Sequence, residues 1–263
     1  MPTATIDGVA LHYEVHGEGE PLLLIHGLGS SCLDWEDQAL AFSRSHRVIA
    51  FDLRGHGRSE RPAGPYSIAR FAADAAGLLR ELGVAQAHVV GISLGGAIAF
   101  QLALDQPALV RTLTIVNSGP ELILRTLAEK TAIGLRFVIL RLFGLPSLGR
   151  MVSGKLFPDP AHEHKRRVFE ERFALNQREP YIASLRALVG WSVSERIGEI
   201  RCPVLVVAAD QDYTPVALKE AYVAQLRDAR LEVVADSHHA LPMEKPEAFN
   251  EVLGNFLQEQ ARN

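Results

Sequence analysis

A serine placed between two glycines is the feature of this sequence best suited to chemistry. Gly91-Ile92-Ser93-Leu94-Gly95 follows an apolar run and precedes an alanine-rich stretch. A serine in a sharp turn from a strand into a helix needs small residues two positions before and after it, because larger side chains would collide with the turn. By itself the pattern also fits a glycine-rich turn with a capping serine. The spacing therefore predicts either a nucleophile at Ser93 or a helix cap.

A serine nucleophile needs partners, because its hydroxyl reacts slowly at neutral pH unless a base removes the proton. Histidine suits this task since its pKa lies near neutrality, and a carboxylate can orient the imidazole. Two neighbouring histidines, His238 and His239, and two nearby aspartates, Asp210 and Asp212, lie in the last quarter of the chain. The residue types alone leave the choice within each pair open.

The elements that must position these residues alternate between strands and helices. The predicted strands cover residues 3–6, 11–15, 22–25, 47–51, 112–116, 203–208 and 230–234, together with the apolar strand that runs from Val89 into Ser93. The first two form an antiparallel hairpin. Helical spacing is found at 34–42, 67–82, 94–106 and 215–227 and again from Pro246. Continuous apolar strands alternating with helices predict an α/β fold with a mostly parallel sheet covered on both faces.

Between residues 119 and 198 the strand-like runs disappear. Helical segments at 121–143, 161–176 and 180–190 are separated by proline-containing breaks, of which Leu145-Pro146-Ser147 is the first. This pattern predicts a helical insertion. The predicted organisation is therefore a core in two parts, 1–119 and 199–263, with a helical cap at 120–198.

Composition restricts the class of protein. Of 263 residues, 48% are hydrophobic and 22% are charged, and the net charge is −4, which is typical of a folded protein and predicts no nucleic-acid partner. The N-terminus lacks a basic start and an apolar stretch, so we expect a cytoplasmic protein without a membrane partner. Cys32 and Cys202 form no metal or disulfide motif, and the sequence predicts no metal and no cofactor. Oligomeric state stays open, with a homo-oligomer as one alternative.

The order of the motifs resembles the α/β-hydrolase superfamily, and the resemblance covers nearly the whole chain outside the insertion. Five marks carry it, each at the end of a predicted strand: His26-Gly27, Asp52-x-Arg54-Gly55-His56-Gly57-x-Ser59, Gly91-x-Ser93-x-Gly95, Asp212 with Thr214-Pro215, and His239 with Glu244 and Pro246. Parallel α/β sheets bind ligands at the carboxyl ends of their strands. The resemblance implies the α/β-hydrolase fold with a helical cap.

The resemblance also implies a catalytic triad. Ser93 would be the nucleophile and His239 the base, because only His239 has the family's glutamate five residues later. The family's G-x-x-D frame selects Asp212 as the acid over Asp210, although Ala209 replaces its glycine. The backbone N–H groups of Leu28 and Leu94 would form the oxyanion hole. His26 is interpreted as a loop-positioning residue, and the segment from Asp52 to Ser59 as a hydrogen-bonded loop beneath the site.

The expected activity is hydrolysis of a carboxylic ester of a small or medium apolar substrate. Within the family a serine nucleophile argues against dehalogenase and epoxide hydrolase chemistry. Two alternatives are hydrolysis of a lactone or a carbon–carbon bond in aromatic catabolism, and binding of a ligand without catalysis. We expect the cap to line an acyl pocket with Phe137, Leu140, Phe143, Leu188 and Trp191, although such residues can also pack on each other. A carboxylate-bearing substrate would need a pocket arginine, for which the cap offers Arg125, Arg136, Arg141 and Arg186.

Overall fold

An eight-stranded sheet forms the centre of the protein in a computed structural model, which describes residues 2–261. The strands are β1 (Thr3–Ile6), β2 (Val9–His16), β3 (Glu20–Ile25), β4 (His46–Phe51), β5 (Ala87–Ile92), β6 (Val110–Val116), β7 (Val204–Ala209) and β8 (Ala229–Val234). Their order across the sheet is β1-β2-β4-β3-β5-β6-β7-β8. β2 is antiparallel to its neighbours β1 and β4, and all the other pairs are parallel. The predicted α/β fold is confirmed.

Helices cover both faces of this sheet. They are α1 (Glu36–Phe42), α2 (Ile68–Glu81), α3 (Leu94–Asp105), α4 (Leu127–Leu156), α5 (Glu163–Ala174), α6 (Arg178–Leu188), α7 (Val216–Val223), α8 (Leu241–Glu244) and α9 (Pro246–Ala261). Alternate residues of β3 point to opposite faces: Leu23 and Ile25 pack in the core with α2 and α3, whereas Leu22 and Leu24 pack in the core with α1 and α9. This two-sided burial explains the continuous apolar runs in the sequence.

Helix α2 shows how local sequence signals set the element boundaries. The Ser67 hydroxyl accepts a hydrogen bond from the Arg70 N–H at 3.1 Å, which satisfies one of the free donors of the first turn. Just after the helix, Gly83 takes a φ of +68°, a conformation that costs glycine little. Both the start and the stop lie where the sequence pattern predicts them.

The segment between β6 and β7 is helical and contains α4, α5 and α6. Its first predicted break is displaced. The non-helical residue is Gly144 (φ 75°, ψ −179°), and helical geometry resumes immediately and continues to Leu156. Pro146 falls in the first turn of the resumed helix, where its missing N–H has no acceptor to lose. The division of the chain at residues 119 and 198 remains a prediction.

Among residues 2–261, α4 is the one helix that is long and apolar enough to cross a membrane by length and composition. The criterion is weak for a single helix, because core helices of water-soluble proteins also meet it. In α4 the helix bends at Gly144, and Leu145, Leu148 and Leu156 beyond the bend are buried in a core shared with α5 and α6. Only 22% of the apolar window of α4 is buried, and the part before the bend exposes Leu127, Leu142 and Phe143.

Candidate active site

Ser93 lies in the turn between β5 and α3, and its backbone is strained. Its φ of 54° and ψ of −117° lie in a region that costs a non-glycine residue on the order of 1–3 kcal/mol. A Cβ at Gly91 would lie 2.2 Å from the Gly95 carbonyl oxygen, and one at Gly95 would lie 2.1 Å from the Ile25 carbonyl oxygen. Since these neighbours are backbone atoms, only glycine fits at either position. The two glycines predicted from their spacing are therefore sterically required.

His239 and Asp212 meet on two loops at the same edge of the sheet as Ser93. The Nδ1 of His239 and the Oδ1 of Asp212 are 2.7 Å apart, and the imidazole is only 7% exposed. The other ring nitrogen, Nε2, is buried and has no hydrogen-bond partner among the described residues. Ser93 and His239 line the same cavity. The Asp212 contact fixes Nδ1 as the protonated nitrogen, which leaves Nε2 as an acceptor.

The competing residues make different contacts. His238 donates its backbone N–H to Glu244 at 2.6 Å, and its Nδ1 lies 2.7 Å from the same carboxylate. Asp210 is exposed, and its Oδ1 accepts the Ser237 backbone N–H at 3.0 Å. Neither side chain forms a hydrogen bond with Asp212 or His239 in the described part of the chain. Glu244, whose spacing identified His239 in the sequence, therefore binds His238 and not His239.

A buried lysine completes the environment of Asp212. The Lys219 ammonium donates to Asp212 Oδ2 at 2.8 Å, and the two side chains are 1% and 0% exposed. The Thr214 hydroxyl also donates to Oδ2, and Lys219 donates to the Thr214 carbonyl at 2.7 Å. Burial alone would raise the pKa of Asp212, but the hydrogen bonds and charges of His239 and Lys219 lower it to about 2. The carboxylate is therefore ionised at neutral pH.

Replacing Lys219 with methionine should destabilise the protein by about 3 kcal/mol at pH 7, because it leaves a buried carboxylate without its cation. The depressed pKa of Asp212 sets the sign of the pH dependence. Its contribution to stability is complete above the ordinary pKa of 3.8 and is lost as the pH falls towards about 2. Urea unfolding of both proteins, at pH 7 and at lower pH, should therefore show the difference shrinking on acidification.

The matched control for this substitution is Lys130→Met on the exposed first turn of α4. A surface substitution of this kind changes the free energy of unfolding by less than about 0.5 kcal/mol. Equal stability of the two methionine variants at pH 7 would show that the ion pair of Lys219 contributes nothing.

Asn117, which follows β6, connects the two loops that carry Asp212 and His239. Its Nδ2 donates to the carbonyls of His238 and His239 at 3.2 and 3.0 Å, and its Oδ1 accepts the Ala209 N–H at 2.8 Å. A neutral amide cannot act as the acid of a triad, and no sequence motif indicates a role for Asn117. The structure shows that its amide fixes the histidine loop against the end of β7.

The two predicted oxyanion donors lie beside Ser93. Leu94 is the first residue of α3, so its N–H is among the donors that a helix leaves without an internal acceptor. Leu28 lines the cavity that contains Ser93. His26 holds this loop: its Nδ1 lies 2.8 Å from the Gly27 carbonyl, and its Nε2 accepts the Leu53 N–H at 3.0 Å. Burial lowers the pKa of His26, and both ring nitrogens are bonded, as expected of a loop-positioning residue.

The segment after β4 is a hydrogen-bonded loop. Asp52 accepts the Cys32 N–H and the Arg58 N–H, each at 2.7 Å. The buried Arg54 guanidinium binds both carboxylate oxygens of Asp74, at 2.5 and 2.6 Å. The carboxylates of Asp52 and Asp74 are therefore both engaged in hydrogen bonds with neighbouring protein groups. The segment has the structural role that the sequence interpretation gave it.

One cluster in residues 2–261 has metal-ligand chemistry: atoms of His12, Glu14 and Cys32 lie within 4.8 Å of one another. Arg58 Nη2 donates to Glu14 Oε1 at 2.7 Å and lies 3.5 Å from Cys32 Sγ. A guanidinium in this position repels a metal cation. Burial, and then the charge of Asp52, raises the pKa of the Cys32 thiol and disfavours a thiolate ligand. The cluster therefore does not fit a metal ion.

The cavity beside Ser93 measures about 680 Å³, including its open mouth. Its walls differ from the predicted pocket, because none of the five residues expected there lines it. The helical insertion contributes one arginine from α4 and apolar or aromatic side chains from the later part of α4, from α5 and from α6: Arg136, Val152, Leu156, Phe169, Phe173 and Tyr181. Two residues outside the insertion, Tyr213 and Met243, complete this wall near His239.

The five residues predicted for the pocket pack elsewhere, which corrects that prediction. Leu140 is 1% exposed within the cap core, and Phe137 packs against that core. Phe143 is 65% exposed. Leu188 and Trp191 pack on the core of the sheet, where the indole N–H donates to Gln101 at 2.9 Å. The bend at Gly144 determines which face of the later α4 turns towards the cavity, and residue spacing before the bend carries no information about it.

A sequence signal for the true cavity wall existed in α5. Phe169 and Phe173 are four residues apart in an otherwise charged helix, so they must lie on one face. Tyr213 had no comparable signal, and nothing in the sequence singled out Arg136 among the four candidate arginines, since their neighbours in space come from different parts of the chain.

Comparison with known proteins agrees with this geometry. The sequence model of the alpha/beta hydrolase family matches residues 22–252. A relative named putative carbamate hydrolase RutD, from Azorhizobium caulinodans, is 34% identical over 98% of this chain and 99% of its own. The 3-oxoadipate enol-lactonase 2 of Acinetobacter baylyi is 30% identical over 94% of this chain and 93% of its own.

A similar solved structure is the enol-lactonase from Burkholderia xenovorans LB400. It has a TM-score of 0.90 and 26% sequence identity, and the match covers 98% of this chain and 100% of that one. The family match, the relatives and the common fold extend across the core and the helical insertion. The chain belongs to the alpha/beta hydrolase family and is a hydrolase.

Proposed function

We propose that this hydrolase cleaves a carboxylic ester through an acyl-enzyme on Ser93. The observation that carries the proposal is the Asp212–His239 hydrogen bond of 2.7 Å, which leaves the buried Nε2 of His239 as a free acceptor in the cavity of Ser93. A base whose one nitrogen is fixed by a carboxylate and whose other nitrogen is unoccupied can take a serine proton. The hydrogen bond between a catalytic serine and its histidine often forms only when substrate is bound.

The reaction proceeds in two halves. As Ser93 Oγ bonds to the ester carbon, its proton moves to His239 Nε2, and the carbonyl oxygen becomes an oxyanion held by the N–H groups of Leu28 and Leu94. Collapse of this intermediate breaks the bond to the alcohol, which leaves with the proton from His239. Water then repeats the attack with His239 as base, and it releases the acid and free Ser93. Ionised Asp212 stabilises the imidazolium in both halves.

Lactone hydrolysis is the second proposed activity, because a relative and a solved structure of this size are both named enol-lactonases. A lactone is a cyclic ester, so the same nucleophile and oxyanion donors act on it. Carbamate cleavage, suggested by the name of other relatives, requires attack on a carbonyl of the same geometry. Comparing kcat/KM for an acyclic ester, a lactone and a carbamate of similar size would rank these three substrate classes.

The test of the proposal is stopped-flow mixing with p-nitrophenyl acetate. We expect a burst of p-nitrophenolate equal to one molecule per protein, because acylation precedes a slower deacylation. A fluorophosphonate ester should abolish the burst and add its mass to the peptide that contains Ser93. A protein that releases no p-nitrophenolate above the uncatalysed rate, and that takes up no phosphonate, would be a binding protein rather than a serine hydrolase.

A further inference from the structure

The ionisable side chains of the cavity differ in whether an oppositely charged partner lies beside them. Asp34 accepts from Arg172 Nη1 at 2.9 Å and from the Ser30 hydroxyl, so its charge is matched inside the structure. His239 is held by Asp212. Arg136 is half-buried in the cavity wall, yet it takes part in none of the ion pairs found between residues 2–261. The cavity therefore presents one guanidinium without a carboxylate.

The other three arginines considered in the sequence lie outside the cavity. Arg125 pairs with Glu121 at 2.6 Å, and Arg186 lies 5.9 Å above the ring of Phe137. Arg141 is exposed on α4. The structure thus reduces four candidates for an anion-binding arginine to Arg136.

The neighbours of Arg136 place its charge close to the reacting groups. The charge of Arg136 lies near the hydroxyls of Tyr181 and Tyr213, whose pKa burial raises, so both hydroxyls are neutral and leave that charge unbalanced. The ring of Tyr213 stacks on the imidazole of His239, with 4.0 Å between the ring centroids. The Tyr213 ring is thus a neighbour of both the Arg136 guanidinium and the His239 imidazole.

We propose that Arg136 binds a carboxylate of the substrate, so that the natural substrate is an ester or lactone whose acyl part carries a second, anionic group. The proposal rests on the proposed function and adds a substrate class to it. The remaining cap walls are apolar, with Leu156, Phe169 and Phe173 around the cavity. Between such walls a charge-assisted pair is stronger than in water, and Arg can hold both oxygens of a carboxylate.

The substrate is accordingly an ester or lactone with a free carboxylate on its acyl part, and a dicarboxylic acid esterified at one end is its simplest form. Its ester carbonyl reaches Ser93 while its free carboxylate reaches the guanidinium across the ring of Tyr213. A purely apolar acyl chain of the same length would fill the cavity without an interaction with the guanidinium. The proposed anionic substrate therefore differs from the apolar substrate expected from the sequence.

Monomethyl and dimethyl glutarate form a matched pair for the test, since they differ only in whether the far carboxyl group is free. We expect the wild-type protein to hydrolyse the monomethyl ester with a kcat/KM about 10–100 times that for the dimethyl ester. Arg136→Met should remove this preference by slowing the monomethyl ester, while it changes the dimethyl ester by less than about threefold. Arg141→Met, on the exposed face, should leave both rates unchanged. Equal losses for the two esters in Arg136→Met, or no wild-type preference, would overturn the proposal.

A binding measurement separates this proposal from the proposed function. Titration calorimetry of glutarate into Ser93→Ala needs no turnover, and the added Arg136→Met substitution should weaken binding at least about tenfold. If neither ester is hydrolysed but glutarate binding still depends on Arg136, the result supports the anion site and contradicts the proposed ester hydrolysis. Glutarate binding that is indifferent to Arg136 would refute the anion site even in an active esterase.

Discussion

Replacing Ser93 with alanine is expected to lower kcat for p-nitrophenyl acetate by at least about 10⁴-fold. The substitution removes the atom that forms the acyl-enzyme, and it leaves the cavity and the oxyanion donors in place. Activity that remains would arise from binding and from the N–H groups of Leu28 and Leu94. The measurement is steady-state turnover together with the pre-steady-state burst, which should be absent from the variant.

The effect should be specific to this hydroxyl. Ser30 lines the same cavity, but its hydroxyl donates to Asp34 and not to a histidine. Ser30→Ala should therefore reduce kcat by less than about tenfold. Alanine keeps the strained backbone of Ser93 and loses only the hydroxyl, so the substitution should not unfold the protein, and thermal denaturation of Ser93→Ala would verify this. An intact burst in Ser93→Ala would exclude Ser93 as the nucleophile.

The second large effect is expected for Asp212→Asn, which should lower kcat by about 10³–10⁴-fold. The Oδ1 of Asp212 accepts from His239 Nδ1, and an amide nitrogen in its place would favour the wrong tautomer of the imidazole. It would also remove the negative charge that stabilises the imidazolium. Because Lys219 also binds Asp212, the variant leaves that ammonium without its anion, so stability should be measured alongside activity.

Asp210→Asn is the matched control for this prediction. Asp210 lies two residues earlier on the same loop, where it is exposed and accepts a backbone N–H from Ser237 at 3.0 Å. Its substitution should change kcat by less than about threefold. A larger loss for Asp210→Asn than for Asp212→Asn, with both proteins folded, would assign the acid to Asp210.

The helical insertion shows where prediction from sequence ended. Its helical nature followed from prolines and apolar spacing, which are local properties. The single break at Gly144 changed which side chains of the later α4 face the cavity, so Val152 and Leu156 were missed. Before the break, Phe137 and Leu140 pack in the core of the insertion and Phe143 is exposed. Side-chain direction along a helix is periodic only while the helix is continuous.

The sequence by itself determined the alternation of strands and helices, and it determined the requirement for glycine on both sides of Ser93. Both depend on residues adjacent in the chain, through backbone sterics and hydrophobic periodicity. Only the tertiary structure decided that Asp212 contacts His239, that Lys219 and Asn117 hold the two loops, and that Arg136 reaches the cavity. These contacts join residues that are distant in the chain, and hydrogen bonds and ion pairs depend on distances that the folded sheet and cap impose. The glycine-flanked serine thus singled out the proposed nucleophile, whereas the side chains that line the cavity above it became known only from the fold of the helical insertion.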